Sequence, residues 1–322
     1  MTLTQLAELA GVSVSTVSKV FSGSSEISEG TKERVLRLAK ENNCFDKYYK
    51  GPRTRPLIAL LLPEPESDLY SRVISVLERA ISLRGGDTVI AFTRFDHELE
   101  ARLFRDLVWG MRVSGVILWG SGNLISNPDE VPLVAICNDA PPQNADMVSI
   151  DMFGGICKML EHVKEYGHTE IGFLGEELTR GKEKQFREAM RRVGMPVREK
   201  YIFCSEKRFS AAGEEGMRAL IKRGSVPDVI FAAYDKIALG AMSCARECGY
   251  RLPEDISFIG MDDAATDSLI DPPLSSVSVD IEQVCREIVE LVFRRIDNRF
   301  YRSRTHITIP ATASVRGSLK KI

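Results

Sequence analysis

Val14, Ser15, Thr16, Ser18 and Lys19 fall within six positions of this 322-residue chain, and every one is small, hydrogen-bonding or cationic. Such a set on one helix could approach a phosphate-lined major groove closely and offer donors to base edges. Other chemistry is hard to find. There is no Gly-x-Ser-x-Gly elbow, phosphate loop or His-Glu-x-x-His, and Gly120-Ser121-Gly122-Asn123-Leu124-Ile125 lacks the final glycine of a dinucleotide fingerprint. Gly154-Gly155 reads as a close-packing turn. Histidines 97, 162, 168 and 306 are too scattered to share a metal. The seven cysteines are odd in number and sit mostly in apolar runs, a pattern of reduced core thiols; Cys244 and Cys248, one helical turn apart, lack a second ligand pair. No metal, cofactor or catalytic residue is expected.

The elements that must hold the first group follow from periodicity. Thr2 can cap a helix, with Gln5 completing a capping box and Leu3, Leu6, Ala7 and Ala10 on one face. Gly11 breaks it, Val12 turns inward, and Ser13 is placed to cap a second helix whose buried side is Val17, Val20 and Phe21. Ile27 plugs the same core, and Ser28 is expected to cap a third helix with Val35, Leu38 and Ala39 inside. Each helix alone could be an ordinary amphipathic piece of a bundle. Charge agrees with the groove reading: residues 1–56 carry nine Lys plus Arg against six acids, although the whole chain has net charge −2. No basic-then-apolar leader and no apolar run long enough for a membrane span is present, so a cytoplasmic protein without membrane contact is expected.

The order Leu6-Ala7, Gly11-Val12-Ser13-Val14-Ser15-Thr16-Val17-Ser18-Lys19-Val20, Ile27-Ser28 and Thr31 resembles the DNA-binding head of the lactose-repressor (LacI/GalR) family of bacterial regulators. The resemblance implies a helix-turn-helix head whose partner is double-stranded operator DNA. Val14, Ser15 and Lys19 then stand where the family contacts bases, and Thr4, Ser13, Thr16, Ser18, Ser28 and Thr31 where it contacts phosphates or positions the helix.

The linker departs from the family. Relatives usually continue with Asn-x-x-Ala-Arg-x-Leu, a hinge helix that wedges a Leu into the minor groove. Here the stretch is Asp46-Lys47-Tyr48-Tyr49-Lys50-Gly51-Pro52-Arg53-Thr54-Arg55, shorter and without that Leu, and Gly51-Pro52 stops a helix. Lys47, Tyr48, Tyr49 and Lys50 are the candidate hinge contacts, with Tyr48 or Tyr49 as substitute wedge; the plain alternative is that the tyrosines pack against a domain. An operator kinked less than is usual is expected.

From Leu57 strands and helices alternate. The apolar run Leu57–Leu62 reads as a strand buried on both faces of a parallel sheet. Helices over 68–84, 153–166, 181–193, 211–222 and 236–248 alternate with strands over 88–93, 115–119, 132–137, 148–151, 170–174, 200–204, 228–233 and 256–260, and a further helix runs to 112. This makes two doubly wound parallel-sheet halves facing across a cleft. Tyr166-Gly167-His168, Leu252-Pro253-Glu254-Asp255-Ile256-Ser257, Gly260-Met261-Asp262-Asp263, Pro273-Leu274-Ser275-Ser276-Val277 and Val315-Arg316-Gly317-Ser318 extend the resemblance over this body, which in the family is similar to a periplasmic sugar-binding protein. The expected fold class is an all-α head plus an α/β body of two doubly wound subdomains. Expected domains are a head over 1–45, a linker over 46–56, and a ligand-binding and dimerisation body over 57–322. Within the body, residues 57–152 with 281–304 form the first half and 153–280 with 305–318 the second. No leucine-heptad tail follows, so a homodimer is expected.

A sugar-like ligand needs acceptors for hydroxyl pairs, cationic donors and an aromatic face. Matching family pocket positions gives Leu69 and Tyr70 after the first strand, Lys182 at an arginine position, Phe209 at a ring-stacking position, Tyr234 where Asn is common, and Asp235 and Asp262 as acceptors; Arg180 is a candidate to restore a guanidinium. Asp235 and Asp262 could instead cap helices, and Tyr70 or Phe209 could be core. The alignment near Cys137-Asn138-Asp139 is ambiguous. The resulting expectation is a ligand-responsive regulator that represses from a pseudo-palindromic operator, with a sugar or sugar derivative as effector and a nucleobase second. A small-molecule sensor that has lost specific DNA binding is the alternative, and a doubly wound enzyme a more distant one.

Overall fold

The computed structural model describes residues 1–22, 24, 26–48, 55–127, 131–137, 141–263, 269–298 and 303–322. The chain divides into two compact units, Met1–Pro56 and Leu57–Ile322.

The first unit is helical. α1 (Leu3–Ala10) starts at a reciprocal capping box: Thr2 Oγ1 accepts from Gln5 N at 3.2 Å while Thr2 N donates to Gln5 Oε1 at 2.8 Å. It ends at Gly11, left-handed at φ 63°, a conformation that glycine adopts without strain. Ser13 Oγ accepts from Thr16 N at 3.0 Å and so caps α2 (Val14–Phe21). α3 (Glu29–Glu41) begins after Ser28, but the expected side-chain cap is absent: the Ser28 hydroxyl donates to Thr31 Oγ1 at 2.9 Å, a geometry in which it does not reach the helix's free amides. Leu6, Ala7, Ala10, Val17, Val20, Phe21, Val35 and Ala39 form the shared core. A fourth, short helix, α4 (Phe45–Tyr48), closes on it, with the Tyr48 ring 5.9 Å from Phe21 and its hydroxyl donating to Met1 O at 3.0 Å. The head therefore extends past residue 45, because two aromatic side chains at the edge of the expected linker complete its core.

The second unit holds two six-stranded sheets. In chain order its elements begin β1 (Leu57–Leu62), α5 (Asp68–Leu83), β2 (Asp87–Phe92), α6 (His97–Arg105), β3 (Gly115–Trp119), β4 (Leu133–Ile136), β5 (Asp146–Asp151) and α7 (Met152–Glu165). They continue β6 (Ile171–Glu176), α8 (Arg180–Arg192), β7 (Ile202–Ser205), α9 (Phe209–Lys222), β8 (Val229–Ala232), α10 (Asp235–Glu247), β9 (Ser257–Met261) and β10 (Ser275–Ser278). Last come α11 (Ile281–Asp297), β11 (His306–Pro310) and β12 (Thr312–Ser314). The sheet orders are β11-β5-β4-β3-β1-β2 and β12-β10-β9-β8-β6-β7, parallel throughout except β12 against β10. β1 shows why its run is unbroken: Ile58, Leu60 and Leu62 enter the core under α5 and α11, while Ala59 and Leu61 enter the core on the α6 side. The helix expected to run to 112 stops at Arg105 and passes into a π-helical turn, Asp106–Gly110.

The assignment of residues 305–318 to the second half is corrected at its start. β11 pairs in parallel with β5 of the first sheet, and the chain changes halves only at Ala311. A buried ion pair steers it there: Asp146, 1% exposed, accepts from Arg295 Nε at 2.7 Å and from the Thr305 amide at 2.8 Å. Ile307 and Ile309 then reach the first half's core. A second close fit lies between α9 and α10, where a Cβ on Gly213 would fall 1.9 Å from Ile237 O and one on Gly240 2.0 Å from Ser210 O.

Candidate nucleic-acid interface and ligand cleft

On α2, Val17, Val20 and Phe21 are buried, which turns Val14, Ser15, Ser18 and Lys19 outward, with Thr16 half-buried beside them. Thr4 and Ser13 are exposed at the starts of α1 and α2, and Ser28 and half-buried Thr31 stand at the start of α3. Thr16 is doubly engaged, its Oγ1 lying 2.8 Å from Ser13 Oγ. The Lys19 ammonium donates to Glu26 Oε2 at 2.6 Å and holds that carboxyl below its usual range by hydrogen bond and charge. What this face can do is present short donors, a methyl-bearing surface and one cation to a groove, with the three-residue turn Gly11-Val12-Ser13 setting α2 against α1. Of the four candidate hinge contacts, Tyr48 is withdrawn from that role by its place in the head's core. Lys47 lies within α4, and Tyr49 and Lys50 lie outside the described residues.

In the second unit a cavity of about 170 Å³ opens at the carboxyl ends of both sheets. The first half supplies Leu69 and Tyr70 from the first turn of α5, with Ser67, the helix cap whose Oγ accepts from Tyr70 N at 3.2 Å. Trp119, Ile136 and Ile150 add the ends of β3, β4 and β5, with Cys137 just beyond β4. From the second half come Lys182, Tyr234, Asp262 and Val277, and Met152 and Val279 line the crossings. Tyr70 meets Trp119 edge to face at 5.7 Å. Lys182 Nζ donates to Ala233 O at 2.9 Å and to Asp262 Oδ1 at 3.4 Å, and lies 4.1 Å from the centre of the Tyr234 ring. Burial pushes the Asp262 carboxyl above its ordinary range, and Lys182 opposes that shift. Burial likewise raises both phenols, Tyr70 and Tyr234, with the Asp262 charge adding to each. Among the described residues, the site is thus a mostly apolar, aromatic-sided cavity with one cation and one carboxylate converging on it.

Five of the eight expected ligand residues, Leu69, Tyr70, Lys182, Tyr234 and Asp262, come together there. The other three have different tasks. Arg180 is turned away, forking to Glu177 Oε1 at 2.5 Å and to Glu183 Oε2 at 3.0 Å. Asp235, 3% exposed and the first residue of α10, accepts from Ser276 Oγ at 2.8 Å and so ties α10 to β10, outside the lining of the main cavity. Phe209 stacks behind Tyr234 at 5.9 Å and borders only a small annex of about 10 Å³. The sequence does not single out Ser67, Trp119, Ile136, Ile150, Met152, Val277 or Val279, although the ends of parallel strands are where a doubly wound sheet places its ligand crevice; Cys137 belongs to the stretch of ambiguous alignment. Asn138 and Asp139 lie outside the described residues.

Among the described residues, two ion pairs join the halves beside the cavity. Arg208, immediately before α9, donates to Glu64 Oε1 at 2.9 Å across the cleft and to Glu176 Oε1 at 3.0 Å within its own half. Lys236 Nζ lies 2.8 Å from Asp68 Oδ1.

Comparison with known proteins gives consistent matches. The family model "Bacterial regulatory proteins, lacI family" matches residues 2–44, and the model "Periplasmic binding protein-like domain" matches residues 160–319. The chain is 30% identical to the HTH-type transcriptional regulator DegA of Bacillus subtilis (strain 168), over 89% of this chain and 88% of that protein. It is similar to a solved transcriptional regulator CelR–cellobiose complex, with TM-score 0.68 and 28% identity over 99% of both chains. Its fold is also similar to that of the lac repressor dimer bound to operator and the anti-inducer ONPF, with TM-score 0.73 and 22% identity over 99% of both chains.

Proposed function

The chain belongs to the bacterial lacI regulatory family and is a DNA-binding transcriptional regulator rather than an enzyme; from that premise we propose that it represses transcription in the cytoplasm as a homodimer on a pseudo-palindromic operator. A small molecule in the cleft of the second unit switches it. In this reading, ligand closes or rotates the two halves, changes the spacing of the two heads and so changes their joint affinity for DNA. Both heads must engage at once, so misplacing one forfeits the avidity. The observation that carries the proposal is that one chain pairs an outward, cation-tipped second helix with a cavity into which Lys182 and Asp262 converge. Val14, Ser15 and Lys19 are the proposed base contacts, with Thr4, Ser13, Thr16, Ser18, Ser28 and Thr31 for phosphates and positioning.

The proposed effector is a sugar or sugar derivative. Asp262 offers acceptors for a hydroxyl pair, Lys182 a donor, and the Tyr70, Trp119 and Tyr234 rings a surface for the apolar face of a sugar ring. A cellobiose complex of a similar regulator supports a sugar. A nucleobase is the second reading, favoured by a cavity more apolar and aromatic than polar.

A thermal-shift screen of the full chain against sugars, sugar phosphates and nucleobases, repeated on Asp262→Ala, tests this. Binding to the folded state raises its melting temperature by mass action. A hit lost in the variant supports the cleft and names the ligand class. A hit that persists unchanged in Asp262→Ala, or an operator complex unmoved by every hit, overturns the switch.

A further inference from the structure

We infer that Glu26 is a specificity-determining residue of the DNA head, acting by withholding Lys19 from DNA that lacks the right base. The inference rests on the reading of α2 as the groove-entering helix. Lys19 is the one charged residue in the sequence of α2. Its ammonium is engaged by Glu26 at 2.6 Å, with side chains 49% and 68% exposed, so the pair stands on the outward surface rather than inside the head.

The geometry is built by the turn that follows α2. Lys19 O accepts from Ser22 Oγ at 3.0 Å and from Ser24 N at 3.0 Å, and Ser24 Oγ accepts from the Glu26 amide at 3.3 Å. Two bonds therefore fold the turn back over the carbonyl of the same lysine whose ammonium Glu26 holds, and the third fixes the backbone of Glu26 to that turn. The other ion pairs among the described residues of this unit, Lys32 with Glu29 and Arg37 with Glu41, lie within one helix. Only the Lys19–Glu26 pair, among those described, spans from the outward helix to the turn.

A carboxylate on a surface that meets phosphates is unfavourable unless it is neutralised or given a partner. Paired, Lys19 and Glu26 present no net charge, so an arbitrary duplex gains no counterion release from Lys19. Guanine O6 and N7 accept from lysine in the major groove, and cytosine N4 donates to a carboxylate. A G·C pair within reach can replace each partner of the ion pair with a base atom, whereas phosphate replaces only the partner of Lys19 and repels Glu26. Lys19 thus contributes to the matched site and is held back elsewhere, which widens the ratio of specific to non-specific binding.

The test uses the full chain, with Glu26→Gln, Lys19→Ala, the double variant, and Glu8→Gln as a charge-removal control on α1. Fluorescence anisotropy is read across a salt series on an arbitrary duplex and on a site selected by the wild type from a randomised pool. Glu26→Gln is expected to bind the arbitrary duplex about tenfold tighter at low salt and to steepen its salt slope by roughly one. It is also expected to narrow the specificity ratio. Lys19→Ala should weaken arbitrary-duplex binding by leaving Glu26 to face the phosphates alone, and should narrow the specificity ratio; the double variant should return arbitrary-duplex binding to near the wild-type value, and Glu8→Gln should leave the ratio unchanged. A double variant that keeps the tighter arbitrary-duplex binding of Glu26→Gln, or an unchanged ratio in Glu26→Gln, overturns the inference while the DNA-binding reading stands. Absence of duplex binding by every protein overturns both.

Discussion

Asp262 sits at φ 104° beside the cavity, with its carboxyl raised by burial and only partly relieved by Lys182. A raised folded-state value means that the stability this residue contributes is present below the ordinary carboxylate range and is lost as pH climbs through the raised value. Asn tolerates positive φ and carries no charge. Asp262→Asn is therefore expected to gain ~1 kcal/mol at neutral pH, a rise of a few degrees in melting temperature. The gain should vanish in acid, and effector binding should weaken about tenfold. Calorimetry from acid to neutral pH, with and without ligand, reads both effects. Sequence position carried Lys182 and Asp262 to the cavity because each follows closely on a strand end. It could not separate Lys182 from Arg180, equally cationic and two residues away. On a helix that interval is about 200°, which sends one side chain into the cleft and the other to Glu177 and Glu183. Ile136, Ile150 and Val279 stayed hidden because an apolar cavity wall and an apolar core are written in the same residues.

At the scale of elements, the crossing of α9 and α10 depends on Gly213 and Gly240, where each missing side chain makes room for the other helix's backbone. Gly240→Ala is expected to destabilise the second unit by about 1–3 kcal/mol, since backbone cannot yield as a side chain does. At Gly30 in α3 a methyl group would meet no atom within 4 Å, so Gly30→Ala should instead stabilise the head, by up to about 1 kcal/mol. Urea midpoints for the two variants, followed by probes of each unit, check the opposite signs. Periodicity gave the alternation of strands and helices because buried parallel strands such as Leu57–Leu62 are apolar on both faces. It failed at β11, an edge strand with exposed His306 and Pro310, whose partner is chosen by the distant Arg295–Asp146 pair. It failed also at α4, where Tyr48 belongs to the head because of a contact with Phe21, twenty-seven positions earlier in the sequence.

For the molecule as a whole, the two ion pairs across the cleft differ in depth and so in consequence. Arg208 serves Glu64 and Glu176, whose side chains are 8% and 1% exposed, whereas Lys236 and Asp68 are both substantially in solvent. Arg208→Gln leaves two carboxylates without a cation and is expected to cost about 3 kcal/mol. Lys236→Gln should cost under about 1 kcal/mol. Thermal melts at two salt concentrations distinguish them, because the exposed pair is the more readily screened. The linker without a Leu wedge, and a Tyr48 committed to the head, lead to the expectation that the operator is bent less sharply than a minor-groove wedge would bend it. A circular-permutation gel assay measures that bend, and a strong kink lost in Tyr49→Ala would contradict the expectation. The ribbon from β11 to β12 completes both sheets, supplying the outermost strand of each after every other strand has been made. On the ribosome, then, the edges of β5 and β10 emerge unpaired, and at about 5–20 residues per second that of β5 stands open for roughly ten to thirty seconds. An open edge accepts any strand offered to it. Neighbouring nascent copies on one message are the strands nearest at hand, so the yield of this protein in the cell is expected to fall with crowding on the polysome before it falls with temperature.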